Sequence, residues 1–478
     1  MDDTNQTVAW RELFGSGNGL RIAVLVSGVG LHAMNVFISG TLMPSVAADI
    51  GGLEYFAWNT TLFILASIAA SIFAAVRPFG MGPRLNFLLA CLAFCLGSLL
   101  CGLAPHIWVM LVGRTVQGFG AGLLGALVYA MIRMVFPERL WTRAMGLLSL
   151  VWGVATLIGP AIGGIFAQFD AWRWAFLLLV PYALALAVVA LRVVPARSDE
   201  RGMQKVPLPQ ILLLMGAVLA LSVASVVTIN AAFTLLLIAV ALAAMLWLGR
   251  LERRGPRRLL PAGSFSLKTS FAPLLLLMLL LQLSITSDVF VPLFLQSLHG
   301  QGPLVAGYMV ALVAVGWSSG SVLCSGWTGD RSRMLLVAGP LLLSIGAIGM
   351  AVFMARSNPA GHLASLVPVG LSLLAMGLGI GASWPHLLTR VFQAAPRGER
   401  DLTSAAVNMV QLFGSGLGAA VGGVIVNFAG LSGATDIDDR LAPASWLFGL
   451  FALVPLAALP LAWSLRRKEA AQAVPRAA

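Results

Sequence analysis

The sequence predicts an all-α polytopic membrane protein. Three observations carry that expectation. Of the 478 residues, 59% are hydrophobic, only 10% are charged, and long apolar runs recur from end to end. Soluble domains carry about 25% charged residues. A closed barrel would instead alternate apolar and polar positions over strands of about ten residues.

Fourteen segments are long enough to span a bilayer, at about 20 residues each. They lie near 20–44, 55–76, 85–104, 106–132, 144–168, 173–194, 208–229, 231–249, 271–296, 304–327, 334–355, 364–389, 403–429 and 443–465. Charged linkers at 195–207 and 250–270 divide them. Between these linkers, residues 207–249 carry no charge and fit two spans with a turn at Asn230. The expected layout is an N-terminal cytoplasmic segment (1–19), a six-helix bundle (20–194) and linkers (195–270) enclosing a transmembrane hairpin (208–249). A second six-helix bundle (271–465) and a cytoplasmic tail (466–478) complete it.

A net charge of +12 is also what a nucleic-acid-binding chain would show, but its distribution argues against that partner. With the N-terminus cytoplasmic, only Arg173, Arg356 and Arg440 fall outside, Arg114 lies within a span, and the other Lys and Arg fall inside. This is the positive-inside asymmetry, and it places both termini in the cytoplasm. The densest cluster, RLERRGPRRLL at 250–260, reads as a topology anchor. No loop is long enough for a soluble nucleic-acid domain. Lysine occurs only at Lys205, Lys268 and Lys468, and the preference for arginine points to a bacterial inner membrane. The first apolar run is too long for a cleavable signal and follows a polar stretch.

Cys91, Cys95, Cys101 and Cys324 lie in or beside spans without zinc spacing and read as packing residues. No HExxH or Walker A pattern occurs, so no metal or cofactor is expected. An ion gradient, here of protons, is the expected energy source. The expected partners are a small-molecule substrate and the lipid bilayer, with the chain a monomer. One enzyme pattern exists: Gly316-Trp-Ser318-Ser-Gly320 fits G-x-S-x-G. A nucleophile elbow needs a strand-to-helix turn, whereas this run sits in an apolar helix. An intramembrane serine hydrolase, with His386 as its inner partner, is a remote alternative.

Of the eighteen acidic residues, only Asp288 lies inside an apolar segment, LLLLMLLLQLSITSDVFVPLFLQSL. A carboxylate at that depth is costly and marks a functional site by default. An acid balanced between desolvation and a neighbouring cation can load and release a proton. Arg114 lies about 12 Å into its span at 1.5 Å per residue, and its guanidinium must face water or a partner. His32 sits one helical turn from Asn35 and is a further proton site. Asn35, Asn59, Gln117, Gln282, Ser284, Ser287, His386, Asn408 and Gln411 are polar groups at membrane depth that suit a substrate cavity. Trp58, Tyr129 and Trp384 suit stacking walls.

The two sets of six spans correspond. The fifth span of the first set reads GVATLIGPAIGGIFAQF and that of the second NMVQLFGSGLGAAVGGVIVNFAG. The loop after the second span reads RPFGMGPR in one half and GWTGDRSR in the other. Repeated halves of this kind are a transporter plan, with substrate near the midplane. Pro160 can kink its helix, and the glycines beside it permit close backbone approach.

Gly153, Gly159, Pro160, Gly163 and Gly164 resemble the antiporter signature of the major facilitator superfamily. Arg114-Thr-Val-Gln117-Gly118 resembles its R-x-x-Q-G motif. With the 6+2+6 layout and the WRWAF stretch, the whole chain resembles the fourteen-helix drug:proton antiporter branch. That resemblance implies a major facilitator fold of two six-helix bundles plus an inserted hairpin, and proton-coupled efflux of a drug-like molecule by alternating access. It gives Arg114 a part in proton coupling and the 326–333 loop, with Asp330 and Arg331, a part in cytoplasmic gating. The sequence departs from the branch twice. Asn35 stands where relatives carry a first-span Asp, and Arg77 stands where the first gating loop carries its Asp. The missing acid keeps a second cargo class open: an anionic or zwitterionic metabolite or siderophore, exported or imported.

Overall fold

The computed structural model describes residues 14–15, 18–76, 82–196, 207–226, 231–255, 258–266, 271–396 and 398–473. No β-strand occurs among them, and fourteen helical segments are long and apolar enough to cross a membrane. We number the helices α1 (Asn18–Ile50), α2 (Trp58–Val76), α3 (Pro83–Gly102), α4 (Ile107–Val135), α5 (Glu138–Gln168), α6 (Trp172–Leu177), α7 (Leu179–Val193), α8 (Leu208–Val226) and α9 (Ala231–Arg254). They continue as α10 (Phe271–Ile285), α11 (Val291–Ser297), α12 (Pro303–Cys324), α13 (Gly329–Phe353), α14 (Leu366–Ala394), α15 (Arg400–Phe428) and α16 (Leu441–Ala473). The turn expected at Asn230, and Arg77 of the first gating loop, lie outside the described residues.

Two of the fourteen spans are each built from two helices. Residues 172–193 divide into α6 and α7 at Leu178. The other break is dictated by a proline. Pro292 has no N–H, so the Asp288 carbonyl four residues earlier loses its α-helical donor. The N–H of Val291 bonds that carbonyl instead, and Thr286–Phe290 tightens into a 3-10 turn between α10 and α11.

The chain packs into two compact units, Met1–Leu42 with Leu65–Lys205 and Met43–Ile64 with Val206–Ala478. In the first unit α3 lies along α4, α6 and α7. Close approach is built in by glycine: a Cβ on Gly97 would fall 2.3 Å from the Gln117 nitrogen, and one on Gly120 would fall 2.5 Å from the Phe94 nitrogen. In the second unit α14 packs on α12 and α13, α13 on α16, and α10 on α15 and α16. The inserted hairpin, α8 with α9, joins this unit through α8 against α15.

The start of α2 is held in the second unit as well. The Trp58 indole donates to the Ser222 carbonyl of α8 at 2.8 Å. The Asn427 amide of α15 donates to the Glu54 carbonyl at 2.7 Å and the Ser225 carbonyl at 3.0 Å. One side chain thus ties the turn before α2 to both the hairpin and α15.

The glycines of the G-x-S-x-G pattern are helix contacts. Residues 303–324 are continuous α-helix, a Cβ on Gly316 would meet the Leu374 carbonyl at 2.5 Å, and one on Gly320 would meet the Leu378 carbonyl at 2.7 Å. Ser318 lies within this helix, as the apolar run implied, and no strand-to-helix turn carries it.

Candidate functional site

The first unit holds a polar network at membrane depth. Arg114 of α4 is 3% exposed; its guanidinium donates to the Asn35 Oδ1 of α1 at 3.3 Å and to the Gln117 Oε1 one turn along α4. The Gln117 Nε2 donates to the Ser98 hydroxyl of α3 at 2.8 Å, and Ser98 donates to the Phe94 carbonyl. Three helices therefore share one chain of hydrogen bonds. His32, one turn before Asn35, stacks edge-on to Trp152 of α5 at 5.7 Å between ring centres.

The antiporter-type glycines lie where α5 meets α1. A Cβ on Gly159 would fall 2.5 Å from the Phe37 Cβ, and one on Gly163 would fall 3.0 Å from the Ile38 carbonyl oxygen. Pro160 is buried between them, and Gly164 is buried beside them. Gly153 is different: it is exposed, and a Cβ there meets nothing within 4 Å.

The second unit repeats this pairing around Asp288. Gly414, Gly418 and Gly422 recur every four residues along α15 and oppose Gln282, Thr286 and Phe290, which recur every four along α10 and the 3-10 turn. The added Cβ atoms would fall 3.0, 2.7 and 2.6 Å from those side chains. Asp288 is carried by this seam, half-buried, in the 3-10 turn. The Gln282 Nε2 donates to the Ser415 hydroxyl at 3.0 Å, while its buried Oε1 has no hydrogen-bond partner among the described residues. Ser284 and Ser287 are buried, and their hydroxyls return to the backbone at Leu280 and Ser284.

The remaining cavity residues are dispersed within the second unit. Asn59 is buried near the start of α2, Asn408 is exposed and Gln411 half-buried. Trp384 packs against Trp317 at 5.5 Å between ring centres. His386 is engaged structurally, its Nδ1 paired with the Ser332 hydroxyl at 3.2 Å and its Nε2 with the Cys324 carbonyl at 2.8 Å. It clamps the end of α12 to the start of α13. The Tyr129 side chain lies outside the described residues.

Asp330 and Arg331 lie in the first turn of α13. Asp330 bonds Arg333, one turn along the same helix, while Arg331 is exposed. Arg333 also donates to the Glu469 carbonyl of α16 at 3.3 Å, and the Glu469 carboxylate accepts from Arg390 of α14 at 2.7 Å. Asp330 thus connects through Arg333 to α16 and α14. An i,i+3 partner suits a helical first turn; adjacent residues point to different sides.

Two further acids organise the linker after α9. Glu252 is 5% exposed and accepts from the Leu259 N–H at 2.8 Å and the Leu260 N–H at 3.0 Å. Glu399 accepts from Arg258 at 2.8 Å and the Ala262 N–H at 2.7 Å. The sequence reading missed both. Glu252 sits within an arginine-rich run, and the signal was the single acid in that run.

The Major Facilitator Superfamily model matches residues 25–212 and 209–419. A probable multidrug-efflux transporter of Mycobacterium tuberculosis is 37% identical over 444 residues, covering 90% of this chain and 92% of the relative. The multidrug resistance protein 3 of Bacillus subtilis is 24% identical over 416 residues, covering 84% and 78%. Among solved structures, a peptide transporter of the POT family in complex with sulfate superposes with a TM-score of 0.67, covering 96% of this chain and 97% of that one at 15% identity, which speaks to fold alone. With fourteen spans, a repeated helix pairing and a family match along most of its length, the chain belongs to the major facilitator superfamily of transporters.

Proposed function

We propose that this chain exports a small, drug-like molecule across the bacterial inner membrane in exchange for protons, by alternating access, with both termini cytoplasmic. The observation that carries the reading is Asp288, a carboxylate in a helix break whose Thr286 and Phe290 meet the glycine face of α15. Such breaks inside spans form ion and substrate sites in transporters. The likeness to a probable multidrug-efflux transporter of Mycobacterium tuberculosis and to the multidrug resistance protein 3 of Bacillus subtilis supports a drug-like cargo.

In this reading Asp288 exchanges the proton and Arg114 tunes the exchange, with His32 as a second proton site. The paired glycine seams, α5 on α1 and α15 on α10, let helices slide without opening a leak. Asn35, Gln117, Gln282 and Ser287 offer hydrogen bonds to cargo. Asp330, through Arg333, holds the cytoplasmic gate. No cofactor is required, because the proton gradient supplies the energy.

A substrate panel in proteoliposomes, with and without an imposed pH gradient, tests the proposal. Accumulation of lipophilic cations driven by the gradient supports it. Competition by organic anions but not by cationic dyes would move the cargo to the anionic or zwitterionic class. Transport indifferent to the gradient would remove proton coupling.

A further inference from the structure

The second unit contains an apolar cavity of about 320 Å³ beside the inserted hairpin. Leu214 of α8, Leu248 of α9, Phe265 of the linker, Leu275 of α10 and Phe413 of α15 are among its walls. Its volume lies at the low end of the roughly 300–1,000 Å³ range of small-molecule sites. Glu252 is the one acid in the lining, and backbone N–H groups of Leu259 and Leu260 occupy both its oxygens. Ser264 is the other polar residue, its hydroxyl donating to the Pro261 carbonyl at 2.7 Å, and the rest of the wall is methyl, methylene and aromatic surface.

The rim has the opposite character. Arg253 donates to the Phe265 carbonyl at 2.6 Å, which places its guanidinium at the linker that closes the cavity. Arg250 and Arg254 are exposed on the same end of α9, each two positions after a cavity-lining residue and so on the helix face away from the cavity. Helix α9 is itself a lipid-facing element: only 11% of its spanning window is buried, and Leu235, Leu242, Leu246 and Trp247 are exposed. An apolar cavity behind an outward-facing helix, with the Arg253 guanidinium at its closing linker and more arginines at the same helix end, is complementary to a molecule with an anionic head and a hydrocarbon tail. A cationic drug would meet a repulsive rim.

We propose that this cavity binds an anionic phospholipid of the cytoplasmic leaflet, one acyl chain lying among Leu214, Leu248, Leu275 and Phe413 and the phosphate held by Arg253. The lipid fills the space between the hairpin and α10 and α15, and so fixes the hairpin to the second unit. The site is independent of what the transporter carries and of proton coupling.

The test is photolabelling of the full-length protein in phosphatidylcholine nanodiscs doped with phosphatidylglycerol carrying a diazirine on its acyl chain. The expected labels, assigned residue by residue, fall on Met245, Leu248, Leu276 and Met409, and unlabelled phosphatidylglycerol competes while phosphatidylcholine does not. Arg253→Gln should cut labelling there about fivefold, the effect of the roughly 1 kcal/mol an arginine contributes near a charged surface, while Arg250→Gln, on the far face of the helix, should leave it unchanged. Leu275→Trp, which fills the cavity, should abolish it while the chromatographic profile stays monodisperse. Labels confined to outward side chains such as Leu235 and Trp247, or equal competition by phosphatidylcholine, would overturn the assignment. Displacement by a lipophilic dye but not by phosphatidylglycerol would make the cavity a substrate vestibule and end the lipid reading.

Discussion

Asn35 accepts a hydrogen bond from Arg114 at 3.3 Å, across 79 positions of sequence. The arginine is held by side-chain oxygens of Asn35 and Gln117. A planar guanidinium can serve both at once; a lysine ammonium on a single flexible stem is poorly suited to do so. Arg114→Lys should therefore lower the initial transport rate at least tenfold at equal membrane abundance. It should also cost about 1–3 kcal/mol of stability through the polar group left unsatisfied. Vesicle uptake and thermal unfolding in detergent check the two effects. Unchanged transport would show that the network is structural only.

The antiporter-type glycines should separate by contact rather than by motif. Gly159→Ala drives a methyl to 2.5 Å from the Phe37 Cβ, whereas Gly153→Ala enters open space. Overpacking costs about 1–3 kcal/mol, while a solvent- or lipid-facing Gly→Ala in a helix is neutral or gains about 0.5–1 kcal/mol. Gly159→Ala should lower Tm and transport, and Gly153→Ala neither. The same contrast tests the second seam, where Gly418→Val meets Thr286 at 2.7 Å. Equal behaviour of Gly153→Ala and Gly159→Ala would contradict the packing account.

Much of this was legible in the sequence. Fourteen apolar runs, the hairpin without charges and the matching glycine-rich fifth spans translate into α1–α16 because each follows from local composition. The break at Asp288 was legible too, although it went unread: Pro292 follows Asp288 by four residues, the spacing that removes a helical donor. Other features were not local. Hydropathy does not record that Asn427 reaches the Glu54 carbonyl, 373 positions away, so the grouping of 43–64 with the second unit is invisible to it. Nor does it distinguish Arg331 from Arg333 as the partner of Asp330, which depends on the helical phase of α13. Glu252 was not singled out because its partners are backbone N–H groups, which leave no trace in residue type.

The linker after α9 should depend on carboxylates as acceptors. Glu399→Gln turns one acceptor into a donor facing Arg258 or the Ala262 N–H. The partly buried pair should lose about 1–3 kcal/mol. A lowered Tm, together with faster proteolysis within 255–266, checks it. A Tm equal to wild type would show the linker held by other contacts.

The loop after α11 should be sensitive to acid. His299 is buried, and burial lowers its pKa below the usual 6.5 despite the bond from its ring to the Met354 carbonyl at 3.0 Å. The folded protein therefore favours neutral His299, while the unfolded chain takes up a proton near pH 6.5. The stabilisation is full above that pH and declines as pH falls from 6.5 toward the lower folded value. Between pH 7.5 and 5.5, wild type should lose more Tm in detergent than His299→Gln. Parallel losses would remove His299 as the cause.

The central claim is that Asp288 carries the proton. The direct measurement is substrate-driven proton movement in proteoliposomes containing wild type or Asp288→Asn, followed with an internal pH dye at matched protein density. The account predicts that the substitution abolishes proton movement while substrate binding persists. Proton movement undiminished in Asp288→Asn would contradict it.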